Sequence, residues 1–492
     1  MDSPSQEQEP QLHAVLFPLM AQGHMIPMVD IARILARRNI IVTLVSTPRN
    51  AARFTSILSR SSHSGLQIRL VQVPFPYKEA GVSEGCENLD MLPSLISASS
   101  FFQATSFLQQ PVEKLFQDLT PRPSFIVSDM CLPYTSYVAR KFDIPRISFV
   151  GTNCLCLLCA YHVRLDGFLD SIASESDYFV LPGMPDRIEM TKAQLLGPVR
   201  NGWDEFTEQI SAAEKDAYGI IMNSFEELEP AYAREYMKLR GGKMWCIGPV
   251  SLINEGHLDK AERGNKASID EFKCLKWLDL QKSNTVIYAC LGSLCNLTWS
   301  QLRELGLALE ASNRPFIWVI REGSESEELN KWIEEDGFEE RTKARGLVIR
   351  GWAPQVLILS HPAIGGFITH CGWNSTLEAI CGGVPMVTWP LFGDQFCNEK
   401  LVVQILQVAV SVGVESPMLW GEENEIGVLV KKEDIEKAID KLMDETEEGE
   451  ERRRRARELA GMAKNAVEEG GSSYSNVHFL IQDIMHQINK DK

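Results

Sequence analysis

The chain has no apolar run long enough to cross a bilayer. Its longest, within 147–161, is interrupted by Gly151, Thr152 and Asn153 and falls short of the roughly 20 residues a spanning helix needs. The opening "MDSPSQEQEPQ" is polar and acidic, without the basic-then-apolar order of a secretory signal, so a cytoplasmic location is expected. Positive charge is in deficit. Against 66 Asp and Glu there are 49 Lys and Arg, a net charge of −17. That balance argues against nucleic acid and against membrane insertion or anionic membrane surfaces as partners. An anionic ligand would need a local device, such as a helix N-terminus. Neither G-x-G-x-x-G nor G-x-x-x-x-G-K-[ST] occurs, so the glycine-rich dinucleotide and P-loop cradles are missing. Apart from the candidates below, the histidines (His13, His63, His162, His257, His361, His478, His486) show no metal-ligand spacing, and no metal is expected. The 12 cysteines in 492 residues do not resemble a disulfide framework. "CLCLLC" (154–159) contains C-x-x-C but lies in an apolar run with no second pair, and reads as buried free thiols. Sequons at Asn296 and Asn374 carry little weight without secretion.

The apolar share is 44% and the charged share 23%, ordinary for a globular protein. A chain this long exceeds the roughly 250–300 residues one core supports. Strand-like and helix-like segments alternate. "HAVLFPL" precedes the helical "IPMVDIARILARR", and "IIVTLVST" and "SFIVSDM" follow, the latter ending its strand at Asp129. Near-continuous Val/Ile runs fit parallel strands buried on both faces. Around 250–280 the pattern weakens, and "SLINEGHLDKAERGNKASIDE" reads as a linker or exposed loop. Alternation resumes with "TVIYACLGS", and Thr298 to Gln301 forms a plausible capping box for "QLRELGLALEAS". "FIWVIR", "LVIRG", "IGGFITH" and "VPMVTWP" follow as strands. The expected fold is α/β, with two doubly wound Rossmann-like domains: 1–250, and 251–492 with its last helix packing back on the first domain. The acidic and basic blocks around Arg452–Arg455 read as a solvated, salt-bridged helix face.

The densest chemistry lies in "WAPQVLILSHPAIGGFITHCGWNSTLEAICGGVPMVTWPLFGDQ" (352–395). Between strand "IGGFITH" and helix "STLEAICGG" lies "HCGWNS". Gly372 permits a tight turn, and Asn374 and Ser375 are good N-cap types that present backbone N–H groups. A helix N-terminus at a strand's carboxyl end is a ready anion site. Glu378, one turn inside, suits two sugar hydroxyls. Trp352 suits stacking on a base, and Asp394 with Gln395 suits a pyranose. On residues alone, the block could equally be a capped helix with Trp352 in a core.

These residues resemble the signature box of plant UDP-dependent glycosyltransferases, inverting enzymes of family one with the GT-B fold, in which two domains face each other across a cleft. The match runs from Trp352 through "HCGWNS", Glu378 and P-x-x-x-DQ to Gln395, and extends to "GHMIP", "SDM", "LGS" and "NEKLVV". It is similar to the clade that glucosylates triterpenoids, flavonols, brassinosteroids and cytokinins. The resemblance implies that Trp352 stacks on uracil, with the Ala353 backbone at the same ring. It implies that Gln355 and Glu378 hold the ribose, and that His370, Asn374, Ser375 and Ser293 meet the diphosphate. Trp373, Asp394 and Gln395 would line the sugar, and Gln395 in that place goes with glucose. No cofactor is implied beyond UDP-glucose as co-substrate, and a monomer is expected.

His24 follows the first strand. An alcohol is a poor nucleophile until deprotonated, and imidazole suits that task near neutral pH. Asp129, at the end of another strand, would fix its tautomer, as in a Ser-His-Asp triad without the serine. Alone, His24 also fits a satisfied turn histidine and Asp129 a helix N-cap; the family assigns the catalytic roles to the matching pair. The expected reaction is a single displacement giving a β-glucoside of a lipophilic acceptor, a triterpenoid or flavonoid. A cytokinin or brassinosteroid acceptor, or another UDP-sugar, is the alternative. Apolar cleft candidates are Met25, Phe101, Phe102, Met130, Cys131, Phe149 and Leu196. A dehydrogenase is disfavoured by the missing glycine fingerprint, a 2-epimerase by the tail of the box, and a non-catalytic UDP-sugar binder by the presence of both His24 and Asp129.

Overall fold

β1 (His13–Phe17) lies between β2 (Ile41–Ser46) and β4 (Phe125–Asp129), parallel to both, with β3 (Ile68–Gln72) beyond β2. β5 (Arg146–Val150) continues the sheet on the other side. β6 (Tyr178–Val180) and β7 (Glu189–Thr191) form a separate antiparallel hairpin. β8 (Gly219–Met222) and β9 (Met244–Cys246) complete a seven-stranded sheet ordered β3-β2-β1-β4-β5-β8-β9. Every residue of β1, β2, β4 and β5 is buried, whereas edge strand β3 is partly exposed. Helices cover both faces, which is why these strands read as unbroken Val/Ile runs. This computed structural model describes residues 11–92, 94–164, 168–195, 203–294, 297–322, 324–423 and 427–490.

The second sheet contains β10 (Val286–Cys290), β11 (Phe316–Ile320), β12 (Gly346–Arg350), β13 (Ile364–Thr369), β14 (Met386–Thr388) and β15 (Ala409–Ser411). Its six parallel strands are ordered β12-β11-β10-β13-β14-β15. Both sheets are therefore doubly wound, and each reverses its strand order once, between β1 and β4 and between β10 and β13. Ligands of open α/β sheets bind outside the carboxyl ends of the strands at such reversals.

Gly365 and Gly366 let β13 approach its neighbours closely. A Cβ at 365 would lie 2.3 Å from the Asn284 carbonyl oxygen, and one at 366 would lie 2.7 Å from Leu442. The first obstacle is backbone and cannot swing away. Gly365→Ala is expected to destabilise by about 1–3 kcal/mol, lowering the melting midpoint by several degrees. An unchanged midpoint in differential scanning fluorimetry would contradict that packing.

The chain finishes on the first sheet. In the helix Ser472–Lys490, Val477, Leu480 and Ile484 join the core formed by Ala14, Leu16 and Trp245. Asn476 Nδ2 donates to the Cys246 carbonyl at 3.1 Å.

Several local expectations are corrected. The first helix is Gln22–Ala36, so His24 sits inside its first turn rather than on a turn before it. The 251–271 stretch is not an exposed loop. It holds a 3-10 turn (Val250–Ile253), a short helix (His257–Ala261) and the buried residues Asn254 and Arg263, because carboxylates from both domains close around it. The capping box is half formed. Thr298 accepts from Gln301 N, but the Gln301 side chain bonds the Leu429–Val430 backbone instead of reaching back. The described cysteines are free, and Cys154 and Cys159 are buried. Arg452, Arg453, Arg454 and Arg455 pair with glutamates three or four residues away on their own helix, but Arg452 is buried rather than solvated, because it also donates to the Lys441 carbonyl. Among the described residues no helix is long and apolar enough to cross a membrane. Leu196 and Asn296 lie outside the described residues.

Candidate active site

At the first reversal, the chain leaves β1 through Pro18–Ala21 and enters the helix that carries His24, while β4 ends on Asp129. His24 Nδ1 lies 2.6 Å from Asp129 Oδ2, and Asp129 Oδ1 accepts from Cys131 N at 2.9 Å. A carboxylate only accepts, so Nδ1 donates and Nε2 keeps its lone pair. Asp129 is fully buried, whereas the His24 side chain is 33% exposed. Burial depresses the imidazole pKa, but the charge and hydrogen bond of Asp129, with Asp394 adding to the field, outweigh it and leave the value raised above 6.5.

At the second reversal, β13 ends at Thr369 and the helix Trp373–Gly382 begins. The cap is Gly372 rather than Asn374 or Ser375, which occupy the second and third helical positions. The reason is space: a Cβ on Gly372 would lie 2.3 Å from His370 Nε2, and one on Gly292 would lie 2.5 Å from the same ring. Cys371 adopts φ +64° to turn the corner, an unfavourable conformation for a residue with a side chain. His370 is thus wedged between two glycines. Its Nδ1 is buried without a partner, and burial lowers its pKa to about 4. At neutral pH it is an uncharged donor beside a helix N-terminus, an arrangement suited to an anion.

The two corners are fastened together. Pro27 lacks the N–H that would normally bond the Gly23 carbonyl four residues back, and that carbonyl accepts instead from Asn374 Nδ2. Asn374 Oδ1 accepts from Asn223 Nδ2 at 3.2 Å, and Trp373 Nε1 donates to the Asn223 carbonyl at 2.7 Å. Asn398 Nδ2 donates to the Cys371 carbonyl at 2.8 Å and to Asp394 Oδ2 at 3.0 Å, while its Oδ1 accepts from Asn153 at 2.6 Å. Burial raises the Asp394 carboxyl, opposed by Asn398, Thr152 and His24. Gln395 accepts from Leu391 N and Phe392 N through Oε1, which leaves its amide nitrogen for the cavity.

Farther along the helix, Glu378 Oε2 accepts from Gln355 Nε2 at 2.8 Å, and the same nitrogen reaches Ser375 Oγ at 2.9 Å. Trp352 is held at both ends, its backbone N–H on Ser268 Oγ at 2.9 Å and its indole N–H on the Arg263 carbonyl at 3.1 Å.

One cavity of about 790 Å³ is lined by His24, Ser293, Trp352, Ala353, Gln355, His370, Trp373, Asn374, Ser375, Glu378, Asp394 and Gln395. Asp129 stands behind His24, outside the lining. The apolar cleft candidates are not brought there: Met25, Phe101, Phe102 and Phe149 are core, and Met130 and Cys131 are half-buried off the lining. Leu92, Leu95, Leu294 and Phe392 line it instead. Sequence reasoning also passed over Arg263, Asn223 and Asn398; only Asn398 carried a signal, inside "NEKLVV". Among the described residues no group of His, Cys, Asp and Glu is arranged to hold a metal.

Residues 265–442 match the family model described as "UDP-glucoronosyl and UDP-glucosyl transferase". The chain is 58% identical over 479 residues to UDP-glycosyltransferase 73C6 of Arabidopsis thaliana, covering 96% of each. Among solved structures it superposes on Glycyrrhiza uralensis UGT73P12, complexed with glycyrrhetinic acid 3-O-monoglucuronide, with a TM-score of 0.90, 37% identity and 98% of each chain covered. Arabidopsis thaliana UGT89C1, complexed with UDP-L-rhamnose, gives a TM-score of 0.75 at 29% identity, over 97% of this chain and 100% of that one.

Proposed function

The chain belongs to the plant UDP-glycosyltransferases, and on that premise we propose that it transfers glucose from UDP-glucose to a hydroxyl of a lipophilic plant small molecule, a triterpenoid or flavonoid, giving a β-O-glucoside. The observation that carries this reading is that the His24–Asp129 pair and the His370–Ser375 corner serve a single cavity. In the proposed mechanism His24 Nε2 takes the acceptor hydroxyl proton. The freed oxygen forms a bond to the anomeric carbon opposite the diphosphate, and the bond from that carbon to the diphosphate oxygen breaks. UDP departs, and the α-linked donor becomes a β-linked product. Asp129 stabilises the imidazolium that forms. The helix N-terminus at Asn374–Ser375, with His370 and Ser293, neutralises charge on the departing diphosphate. Trp352 and Ala353 take the uracil, Gln355 and Glu378 the ribose, and Trp373, Asp394 and Gln395 the glucose. Leu92, Leu95, Leu294 and Phe392 give the acceptor an apolar wall, and the UGT73P12 complex with glycyrrhetinic acid 3-O-monoglucuronide supports a bulky lipophilic acceptor.

The test is to incubate the enzyme with UDP-glucose, UDP-galactose and UDP-glucuronate, each against triterpenoids, flavonols and zeatin, and to record product masses. A gain of one hexose on a triterpenoid or flavonol, fastest with UDP-glucose and with a β anomeric coupling, is expected. Preference for another donor, or turnover of zeatin alone, would replace the donor or acceptor assignment.

A further inference from the structure

Arg263 lies in the segment between the two sheets, lines the cavity beside Glu378, and is absent from the roles assigned above. Its guanidinium is enclosed by two carboxylates from different domains. Nη2 donates to Asp30 Oδ2 at 2.6 Å, and Nη1 donates to Glu378 Oε1. Both acids are almost completely buried, Asp30 to 1% and Glu378 to 8% side-chain exposure. Asp30 belongs to the helix that begins around His24. The backbone of the same residue holds the Trp352 indole. Gly264, at φ +84°, passes so close that a Cβ would lie 2.7 Å from Trp352 and 2.8 Å from Ile26. Asn265 Oδ1 accepts from Gln22 Nε2 at 2.7 Å. Three consecutive residues therefore wedge between the His24 helix and the nucleoside end of the cavity.

We propose that Arg263 is a positioning residue for the donor: its guanidinium fixes the Glu378 carboxylate in the orientation that receives the ribose hydroxyls, and ties it to the His24 helix. This rests on the reading of Glu378 as the ribose acceptor. The lone-pair count supports it. A carboxylate offers about four acceptor sites. Arg263 takes one on Oε1 and Gln355 one on Oε2, leaving one on each oxygen for two vicinal hydroxyls. Without Arg263, Glu378 would be a buried acid without its cation, facing a diphosphate pocket in a chain of net charge −17, and it would turn away. A lysine supplies the charge but not the two-armed planar fork.

The test compares UDP with 2′,3′-dideoxy-UDP, which lacks the ribose hydroxyls, by calorimetry on the full chain. Arg263→Gln is expected to weaken UDP binding and raise the UDP-glucose KM by roughly ten- to a hundredfold, as for the loss of a charge-assisted contact. The kcat should change far less. Affinity for the dideoxy nucleotide, already weak in the parent, should be the same in the variant. Arg263→Lys should recover part of the UDP affinity, and it carries the same comparison if Arg263→Gln does not fold. Equal loss for both nucleotides, or unchanged UDP affinity, overturns the proposal. Glu378→Gln separates the two ideas: if it binds UDP like the parent, the ribose reading fails; if it loses UDP while Arg263→Gln does not, only the Arg263 role fails.

Discussion

His24→Ala is expected to cut glycosyl transfer by roughly 10²–10⁴-fold, the span attributable to a positioned general base, while UDP binds as tightly as before. The imidazole reaches the cavity from the first domain, and the residues proposed for the nucleotide come from the second. The two losses should therefore separate. His24 is partly exposed, so its removal leaves little void, but it strips the buried Asp129 Oδ2 of its donor, and the melting midpoint should fall modestly. Single-turnover rates and UDP calorimetry on the same preparation decide it; near-normal turnover would strip His24 of the role.

Asp129→Asn should cost a comparable factor for a different reason. Cys131 N requires an acceptor at Oδ1, so the asparagine carbonyl takes that place and its NH2 faces His24 Nδ1. The ring must then put its hydrogen on Nε2, where the base needs a lone pair, and a loss of about 10²–10⁴-fold follows from the wrong tautomer. The pH profile adds a signed readout. His24 acts when neutral, and its pKa is raised above 6.5 by Asp129 and Asp394 against the effect of burial. In the parent, kcat/KM falls as pH drops through that raised value. Removing the Asp129 charge disfavours the imidazolium, so the acid limb should move to lower pH even as the plateau drops. A limb that stays in place would mean that another group titrates.

Much of this was readable from residue order. β1, β2, β4 and β5 announce themselves as apolar runs because helices cover both faces. His24, Asp129, Ser293 and His370 stand out because each ends or follows a strand that borders a reversal in its sheet. The starts of both critical helices were misplaced. Gly23 hides the first, and Gly372 caps the second because only a missing side chain clears His370. Arg263 left no trace in its neighbourhood: its burial comes from Asp30 and Glu378, both more than a hundred positions away. The apolar cavity lining was not legible because bulky aromatics such as Phe101 and Phe149 pack away from it, whereas Leu92 and Leu95, themselves largely buried, line it.

The helix Ser472–Lys490 has a consequence for folding. Val477, Leu480 and Ile484 fill the same apolar layer as Ile221, Trp245 and Ile247, so the first half made alone leaves part of that layer uncovered. Completion of that core therefore couples side chains more than 200 positions apart in the chain.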